Sequence, residues 1–224
     1  MVAVVDNDEE RKLIAQERFH CPVFADYKSM LDAQIEADFV AVATQDEQHE
    51  EHAIACMEKG YDLLLEKPIS NSLEGCRHIY EAACKYDRKV IVCHVLRYSP
   101  FYKRVKEILD SGELGGIITI HASENVGFYH QAHSFVRGPW RNKAESSPMI
   151  LAKCCHDMDI LRWLVGKKCK AVSSMGGLHI FKKENAPEGS ADFCSDCKVD
   201  CLYNAQKLYT EISRFTERRR NWLV

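Results

Sequence analysis

Tyr61-Asp62-Leu63-Leu64-Leu65-Glu66-Lys67-Pro68 is the stretch that decides the fold, because an apolar run ends there on a lysine. The run predicts a buried strand, and in an open α/β sheet ligands bind outside the carboxyl ends of the strands. Pro68 fixes its own φ and favours an extended Lys67, which holds the ammonium at the strand tip. That ammonium can donate to a bound hydroxyl or exchange a proton with it, although the tripeptide alone fits an ordinary strand-end lysine equally well.

The first half of the chain, on either side of this stretch, alternates short apolar strands with helices. Strands are predicted at Met1 to Asp6, Val23-Phe24, Phe39 to Ala43, Leu63 to Glu66 and Val90 to Cys93. Helices are predicted at Asp8 to Phe19, around Ser29 to Gln34, at Glu47 to Lys59 and at Ser72 to Tyr86. Strands that are apolar on both faces and separated by helices imply a parallel, doubly wound sheet of the nucleotide-binding, Rossmann-like type.

This alternation stops after Pro100. The predicted elements there are a helix to Leu109, a strand from about Gly116 to Val126, a helix from about Pro148 to Val165, a strand at Ala171 to Met175 and a final helix through the arginine-rich tail. Residues 127–147 form an irregular stretch rich in aromatic residues and histidine, and loops of such length are usually functional. We therefore divide the chain into domains at residues 1–98 and 99–224.

Composition excludes several classes of function. The chain has 224 residues, 46% of them hydrophobic, and a formal net charge of -3, which argues against a nucleic-acid surface. The local basic cluster Arg214, Arg218, Arg219 and Arg220 is explained more simply as a solvated helix end. No apolar run approaches the roughly 20 residues that span a bilayer, and the amino terminus lacks the apolar core of a signal peptide. We expect a soluble, cytosolic protein.

The eleven cysteines are scattered through predicted helices and strands, and their number is odd, so reduced thiols fit better than a disulfide framework. Cys194, Cys197 and Cys201 are the exception, because their first spacing matches a metal knuckle. Three thiolates need a fourth ligand, for which Cys154, Cys155, Cys169 and His179 are the nearest candidates. A structural zinc and a loop of free thiols both remain open.

Asp6 ends the first predicted strand, where a dinucleotide fold places the acid that binds the adenosine ribose 2′-hydroxyl. Such an acid favours NAD over NADP, although a turn or helix-cap role fits Asp6 equally well. The glycine fingerprint lies roughly 20 residues before that acid. The chain begins too late to contain it and has no G-x-G-x-x-G elsewhere. If Asp6 is the ribose acid, the first strand and the phosphate loop are missing.

Taken together, these motifs resemble the Gfo/Idh/MocA oxidoreductases. The resemblance rests on Phe39 to Ala43 with Thr44-Gln45 and His49, on Glu66-Lys67-Pro68, on His94-Val95-Leu96-Arg97-Tyr98 and on Cys155-His156-Asp157-Met158-Asp159. It covers nearly the whole chain in the right order. It implies a dinucleotide domain, an α/β domain with an open antiparallel sheet, and hydride transfer between NAD(P) and a hydroxyl carbon of a sugar or cyclitol.

The resemblance also implies roles for single residues. Lys67 would contact both substrate and cofactor, and His156 would be the catalytic acid/base. Thr44 and His49 would line the nicotinamide side, with Glu66 of the same motif beside the cofactor. Alcohol oxidation requires a base with a pKa near neutral, which imidazole provides. Asp159 and Lys153 lie one helical turn after and before His156, and Asp159 could orient the ring.

The sequence departs from the family at two places. Many members carry an Asp four residues before the histidine, where this chain has Ala152 and, next to it, Lys153. A lysine on that face makes a sugar acid a more plausible substrate than a neutral cyclitol. For a polar substrate, Arg97, Tyr98 and the loop residues His130, His133, Arg137, Trp140 and Arg141 are further candidate contacts, and a packing role is as good a reading for each loop residue.

The second departure is at the carboxyl end, where family members continue through further strands. An incomplete sheet leaves edges unpaired, so we expect an oligomer or an unstable fragment. Three functions follow as hypotheses. The first is an NAD-dependent sugar oxidoreductase, and the second is a glycosidase of the same family that retains NAD through transient oxidation and elimination. The third is a noncatalytic sensor that has lost cofactor binding.

Overall fold

The first half of the molecule is a parallel α/β structure, seen in a computed structural model that describes residues 1–209. Its strands are β1 (Val4–Val5), β2 (Val23–Phe24), β3 (Phe39–Val42), β4 (Asp62–Leu65) and β5 (Val90–Val92). Its helices are α1 (Glu9–Phe19), α2 (Tyr27–Asp32), α3 (His49–Glu58) and α4 (Leu73–Tyr86). The predicted order of strands and helices is confirmed.

The strands form two parallel sheets, β1-β2 and β3-β4-β5. Val42 pairs with Leu65 and Leu65 pairs with Val92, so the last residues of β3, β4 and β5 lie side by side. Whatever follows these strands in the sequence is therefore brought to one edge of the sheet. The predicted mixed α/β fold with doubly wound parallel strands is confirmed.

The core of this half lies between the β3-β4-β5 sheet and helices α3 and α4. Leu65 and Met57 are fully buried, and Leu63 is nearly so. The starts of α1, α2 and α4 are fixed by capping side chains that satisfy free backbone donors. The carboxylate of Asp26 accepts from the Ser29 backbone N–H at 2.9 Å, which explains why α2 begins at Tyr27 rather than at the predicted Ser29.

Within residues 1–209, the regular secondary structure of the second half is helical. Its helices are α5 (Pro100–Asp110), α6 (Phe128–Gln131), α7 (Met149–Ala152) and α8 (Cys155–Val165), with a π-helical turn at Ala132–Arg137. The predicted single helix from Pro148 to Val165 is wrong, because it divides at Lys153-Cys154. Within residues 1–209, no helix combines the length and apolar character needed to cross a membrane.

The predicted strands at 116–126 and 171–175 are also wrong for the described part of the chain. Ile118 is 91% exposed and Met175 is 100% exposed, and neither segment pairs with another strand within residues 1–209. Apolar alternation forms a strand only where a neighbour completes the hydrogen-bond ladder. The final helix and its arginines, Arg214 to Arg220, lie outside the described residues.

Candidate active site

Lys67 lies two residues after the end of β4, and its side chain crosses to the second half of the molecule. The Lys67 Nζ donates a hydrogen bond to the Ala152 carbonyl at 3.2 Å. Its own backbone N–H is 3.2 Å from Glu66 Oε2, and the Lys67-Pro68 peptide bond is cis. The ammonium is thus held over the sheet edge by a carbonyl at the end of α7.

The break between α7 and α8 makes that carbonyl available. In a continuous helix the backbone N–H of His156 would donate to Ala152. Here it donates to Lys153 at 3.1 Å instead, so the Ala152 oxygen is left for side chains. The Cys155 Sγ also points to this oxygen, at 3.8 Å. The division of the predicted helix therefore creates the anchor for Lys67.

His49 holds the loops after β3 and β4 together. It is 1% exposed, and its Nδ1 lies 2.8 Å from the Pro68 carbonyl while its Nε2 lies 3.1 Å from the Thr44 carbonyl. With both ring nitrogens engaged by backbone, the ring has none left for a ligand. The Thr44 hydroxyl is hydrogen-bonded to His52 Nδ1 at 3.0 Å.

His156 begins α8 and faces a second imidazole. The rings of His94 and His156 are nearly perpendicular, with centroids 5.8 Å apart. The Nδ1 atom of each ring is buried and has no hydrogen-bond partner among the described residues. Burial lowers the pKa of His156, and the positive charges of Lys67 and His94 lower it further. The ring is therefore favoured in its neutral, proton-accepting form at neutral pH.

Asp159 forms no hydrogen bond with His156 within residues 1–209. Its carboxylate instead takes two hydrogen bonds from Arg97, at 2.7 Å from Nε and 2.5 Å from Nη2. The same carboxylate lies 4.0 Å from His94 Nε2. The fork-on-fork pair joins the turn after β5 to α8, so two predicted substrate contacts, Arg97 and Asp159, bind each other. Tyr98, next to Arg97, is exposed.

The loop of residues 127–147 packs on itself and on the segment around Tyr203 and Tyr209. Trp140 and Phe135 have ring centroids 6.3 Å apart, and Arg137 donates to the Tyr203 carbonyl at 2.8 Å. His133 is hydrogen-bonded to the Tyr209 hydroxyl. Among these loop candidates, His130 feels the charges of Lys67 and Lys153. Burial lowers its pKa, as do the positive charges of Lys153, His133 and Lys67.

Asp6 occupies the end of β1, and its Oδ1 accepts from the Asp8 backbone N–H at 2.9 Å. This is the turn role that the sequence left open, and it occupies only one of the two carboxylate oxygens. Asp46 was not singled out from the sequence. It is buried at the start of the turn that precedes α3, and its Oδ2 has no donor within residues 1–209.

His94 is the main site residue that sequence reasoning missed. It belongs to a motif quoted for the resemblance, yet no role was assigned to it. The signal was present, because His94 follows an apolar strand just as Lys67 does, and strand-end residues of a parallel sheet share one edge. The same rule applied to β5 would have placed His94 beside Lys67.

The zinc hypothesis is not supported. Within residues 1–209, no group of three or more His, Cys, Asp or Glu side chains is arranged to hold a metal ion. Cys194, Cys197 and Cys201 are free thiols, and Cys201 Sγ accepts from the Tyr203 backbone N–H at 3.4 Å.

Family comparison agrees with this fold. Residues 1–94 match the model described as an oxidoreductase family with an NAD-binding Rossmann fold, and residues 102–197 match the Gfo/Idh/MocA C-terminal domain. The chain therefore belongs to the Gfo/Idh/MocA oxidoreductase family.

Particular relatives are inositol dehydrogenases. Inositol 2-dehydrogenase 2 of Saccharopolyspora erythraea is 34% identical, covering 75% of this chain and 47% of that protein. Inositol 2-dehydrogenase of Klebsiella pneumoniae is 27% identical, covering 76% of this chain and 48% of that protein. The structure of scyllo-inositol dehydrogenase from Lactobacillus casei with NAD(H) and scyllo-inositol matches with a TM-score of 0.62 at 23% identity, over 75% of this chain and 49% of that one, which shows the fold. The chain spans about half the length of these relatives.

Proposed function

We propose that this chain carries the reacting centre of an oxidoreductase that transfers a hydride between NAD(P) and a hydroxyl carbon of a sugar, sugar acid or cyclitol. The observation that carries the proposal is the meeting of the Lys67 ammonium with the His94 and His156 rings at the carboxyl edge of a parallel sheet. Membership in the family and the similarity to inositol 2-dehydrogenases support it.

His156 is the proposed acid/base. Oxidation of a secondary alcohol requires removal of the hydroxyl proton as the hydride leaves the same carbon. Because burial and neighbouring positive charge lower the pKa of His156, the ring is neutral and ready to accept that proton. Once protonated, it becomes a second positive charge beside Lys67, which favours release of the proton to solvent.

Lys67 is proposed to hold the reacting oxygen. One N–H of its ammonium is used by the Ala152 carbonyl, which leaves two donors for a ligand. A donor fixed on the hydroxyl oxygen stabilises the negative charge that develops there as its proton leaves. The anchor at Ala152 limits the positions of the ammonium, so its orientation is set before the substrate binds.

The strand-end residues fit the nicotinamide half of a dinucleotide, which when bound supplies the hydride acceptor. Asp46 Oδ2 is a buried acceptor with no donor among the described residues, and a ribose hydroxyl or a carboxamide N–H would satisfy it. Thr44 and Glu66 lie at the same edge. The free Oδ2 of Asp6 is proposed to bind the adenosine ribose, which favours NAD over NADP.

The other predicted contacts divide into two groups. Arg97 and Asp159 are proposed to position α8 through their mutual ion pair. Tyr98, Lys153 and Trp140 are proposed to contact substrate.

The test is a fluorescence titration of NADH with the 224-residue chain, followed by turnover of myo-inositol, glucose and glucuronate with NAD⁺. We expect His156→Asn to lower kcat/KM by about 10²–10⁴-fold, the usual contribution of a positioned base, with little change in NADH affinity. Met158→Gln, at an exposed position of the same helix, is the matched control and should retain full activity.

Two results would overturn the proposal, namely absence of saturable NADH binding and full turnover by His156→Asn. The glycosidase hypothesis gives a different signature with a p-nitrophenyl glycoside. That reaction would release p-nitrophenol with no net gain of NADH, because the nicotinamide is reduced and reoxidised within one cycle.

A further inference from the structure

Positive and imidazole groups from both halves of the molecule lie close to one another. They are Lys67 after β4, His94 after β5, His130 in the loop, Lys153 between α7 and α8, and His156 in α8. The charges of Lys67 and Lys153 both lower the pKa of His130 and of His156, although burial is the larger cause in each case. The two ammonium groups therefore act on the same small region.

Neither of these two lysines is paired with a carboxylate within residues 1–209, although the negative charges of Asp157 and Glu124 act on the neighbouring Cys154. Asp159 is taken by the bidentate bond from Arg97. Asp157 raises the pKa of the Cys154 thiol through charge and a hydrogen bond, which follow burial as causes, and it opposes the lysines only partly at His156. The site therefore carries an excess of positive charge, which favours a negatively charged ligand.

We propose that the site binds a carbohydrate or cyclitol carrying an anionic group, a carboxylate or a phosphate ester, and that Lys153 binds this group. The inference rests on the proposed function and names its substrate class. Lys67 is partly occupied by the Ala152 carbonyl and serves the reacting oxygen. Lys153 makes no side-chain hydrogen bond to the described residues and stands one turn from His156, so it can reach a substituent next to the reacting carbon.

A neutral cyclitol would leave the Lys153 ammonium without a counter-charge in a half-buried site, whereas an anionic substituent supplies one. A hydrogen bond between charged partners contributes roughly 1.5–3 kcal/mol, which corresponds to about 10–150-fold in affinity. The presence of Lys153 beside Ala152 thus favours an anionic substrate over the neutral inositols.

The experiment measures binding to the 224-residue chain by isothermal calorimetry with four probes: glucose, myo-inositol, glucuronate and glucose 6-phosphate. We expect at least one anionic probe to bind about tenfold or more tightly than glucose, with the difference shrinking as sodium chloride is added. Whether glucuronate or glucose 6-phosphate binds more tightly identifies carboxylate or phosphate as the source of the charge.

Variants of Lys153 test its part in this preference. Lys153→Gln should lose about tenfold in affinity for the anionic probe and leave glucose unchanged, while Lys153→Arg should keep most of the preference. Lys170→Gln removes an exposed lysine of the same half and is the matched control for net charge. Retention of the full preference by Lys153→Gln would contradict the role of Lys153.

Equal affinity for glucose and both anions, or no saturable binding of either anion, would overturn the inference. Its failure is distinguishable from that of the proposed function, because the sugar titrations contain no cofactor. A preference for the anionic probes without NADH binding would support the inference and contradict the proposed dehydrogenase function. NADH binding with equal turnover of glucose and glucuronate would support the dehydrogenase function and contradict the inference.

Discussion

The two halves of this chain treat similar apolar sequence in opposite ways. In the first half, Leu63 and Leu65 of β4 are buried between neighbouring strands and helices. In the second half, apolar residues of 116–126 and 171–175 such as Ile118, Val172 and Met175 stay exposed. Apolar alternation alone thus does not determine a strand; a neighbour at hydrogen-bonding distance is also required.

The largest effect is expected when an apolar side chain is truncated in the core and, as its match, on the surface. Leu65→Ala should lower the free energy of unfolding by about 2–5 kcal/mol, since it opens a cavity in a fully buried site. Ile118→Ala removes the same class of side chain from an exposed position and should change it by less than about 0.5 kcal/mol. Urea denaturation followed by circular dichroism gives both values. Comparable losses in the two variants would mean that segment 116–126 is packed in solution.

The second test concerns the connection between the halves. Arg97 and Asp159 join the turn after β5 to α8, and the Asp159 side chain is only 12% exposed. A double-mutant cycle with Arg97→Met and Asp159→Asn should give a coupling free energy of about 1–2 kcal/mol, discounted for the partial exposure of Arg97. The surface pair Arg104 and Glu107, at 3.1 Å, is the control and should couple by less than about 0.5 kcal/mol.

If the Arg97 cycle gives no more coupling than this surface control, the pair does not hold α8 against the first half. The His156 position would then depend on other contacts, chiefly the one between Lys67 and the Ala152 carbonyl.

Local pattern was sufficient for most of the first half of the fold. Strand β2 at Val23–Phe24 has its predicted bounds, and β3 differs by one residue. Parallel βα units carry their own partners, since each strand pairs with one that follows shortly in the sequence. Segment 116–126 could not be judged in this way, because its pairing depends on residues far away in the sequence.

The candidate site was predictable in part for the same reason. Lys67 at a strand end and His156 in its motif were identified from sequence. The bond from Lys67 to the Ala152 carbonyl spans 85 residues and depends on a helix break that no composition rule marks. The burial of both nitrogens of His49 against backbone carbonyls likewise arises only when two loops meet.

A smaller effect is expected in the pH dependence of stability. It comes from the paired rings of His94 in the first half and His156 in the second. Burial lowers the pKa of His94 and His156 below the ordinary 6.5. Between the folded-state pKa and 6.5 the unfolded chain binds more protons, so their contribution to stability is present above 6.5 and is lost as the pH falls through that window. Thermal unfolding from about pH 8 to about pH 5 should therefore show a falling Tm.

His94→Gln and His156→Gln should each make that fall shallower, because each removes one group whose protonation opposes folding. The exposed His121→Gln is the matched control for loss of an imidazole from the second half. His78 has the opposite sign, since its hydrogen bond to Glu50 raises its pKa, so only differences between variants isolate the pair. An unchanged slope in both site variants would contradict the lowered pKa values.

The smallest expected change in folding free energy comes from polar substitution of the exposed segments, and it sharpens the contrast between the halves most directly. Val172 and Ile118 are apolar and exposed, so they offer surface for association between copies of the chain. Ile118→Thr and Val172→Thr should alter the free energy of unfolding by less than about 0.5 kcal/mol, yet reduce self-association measured by light scattering. The matched core change Leu65→Thr should instead destabilise the chain and increase association, because a polar group is buried without a partner. A monodisperse monomer before any substitution would show that these apolar side chains do not drive association.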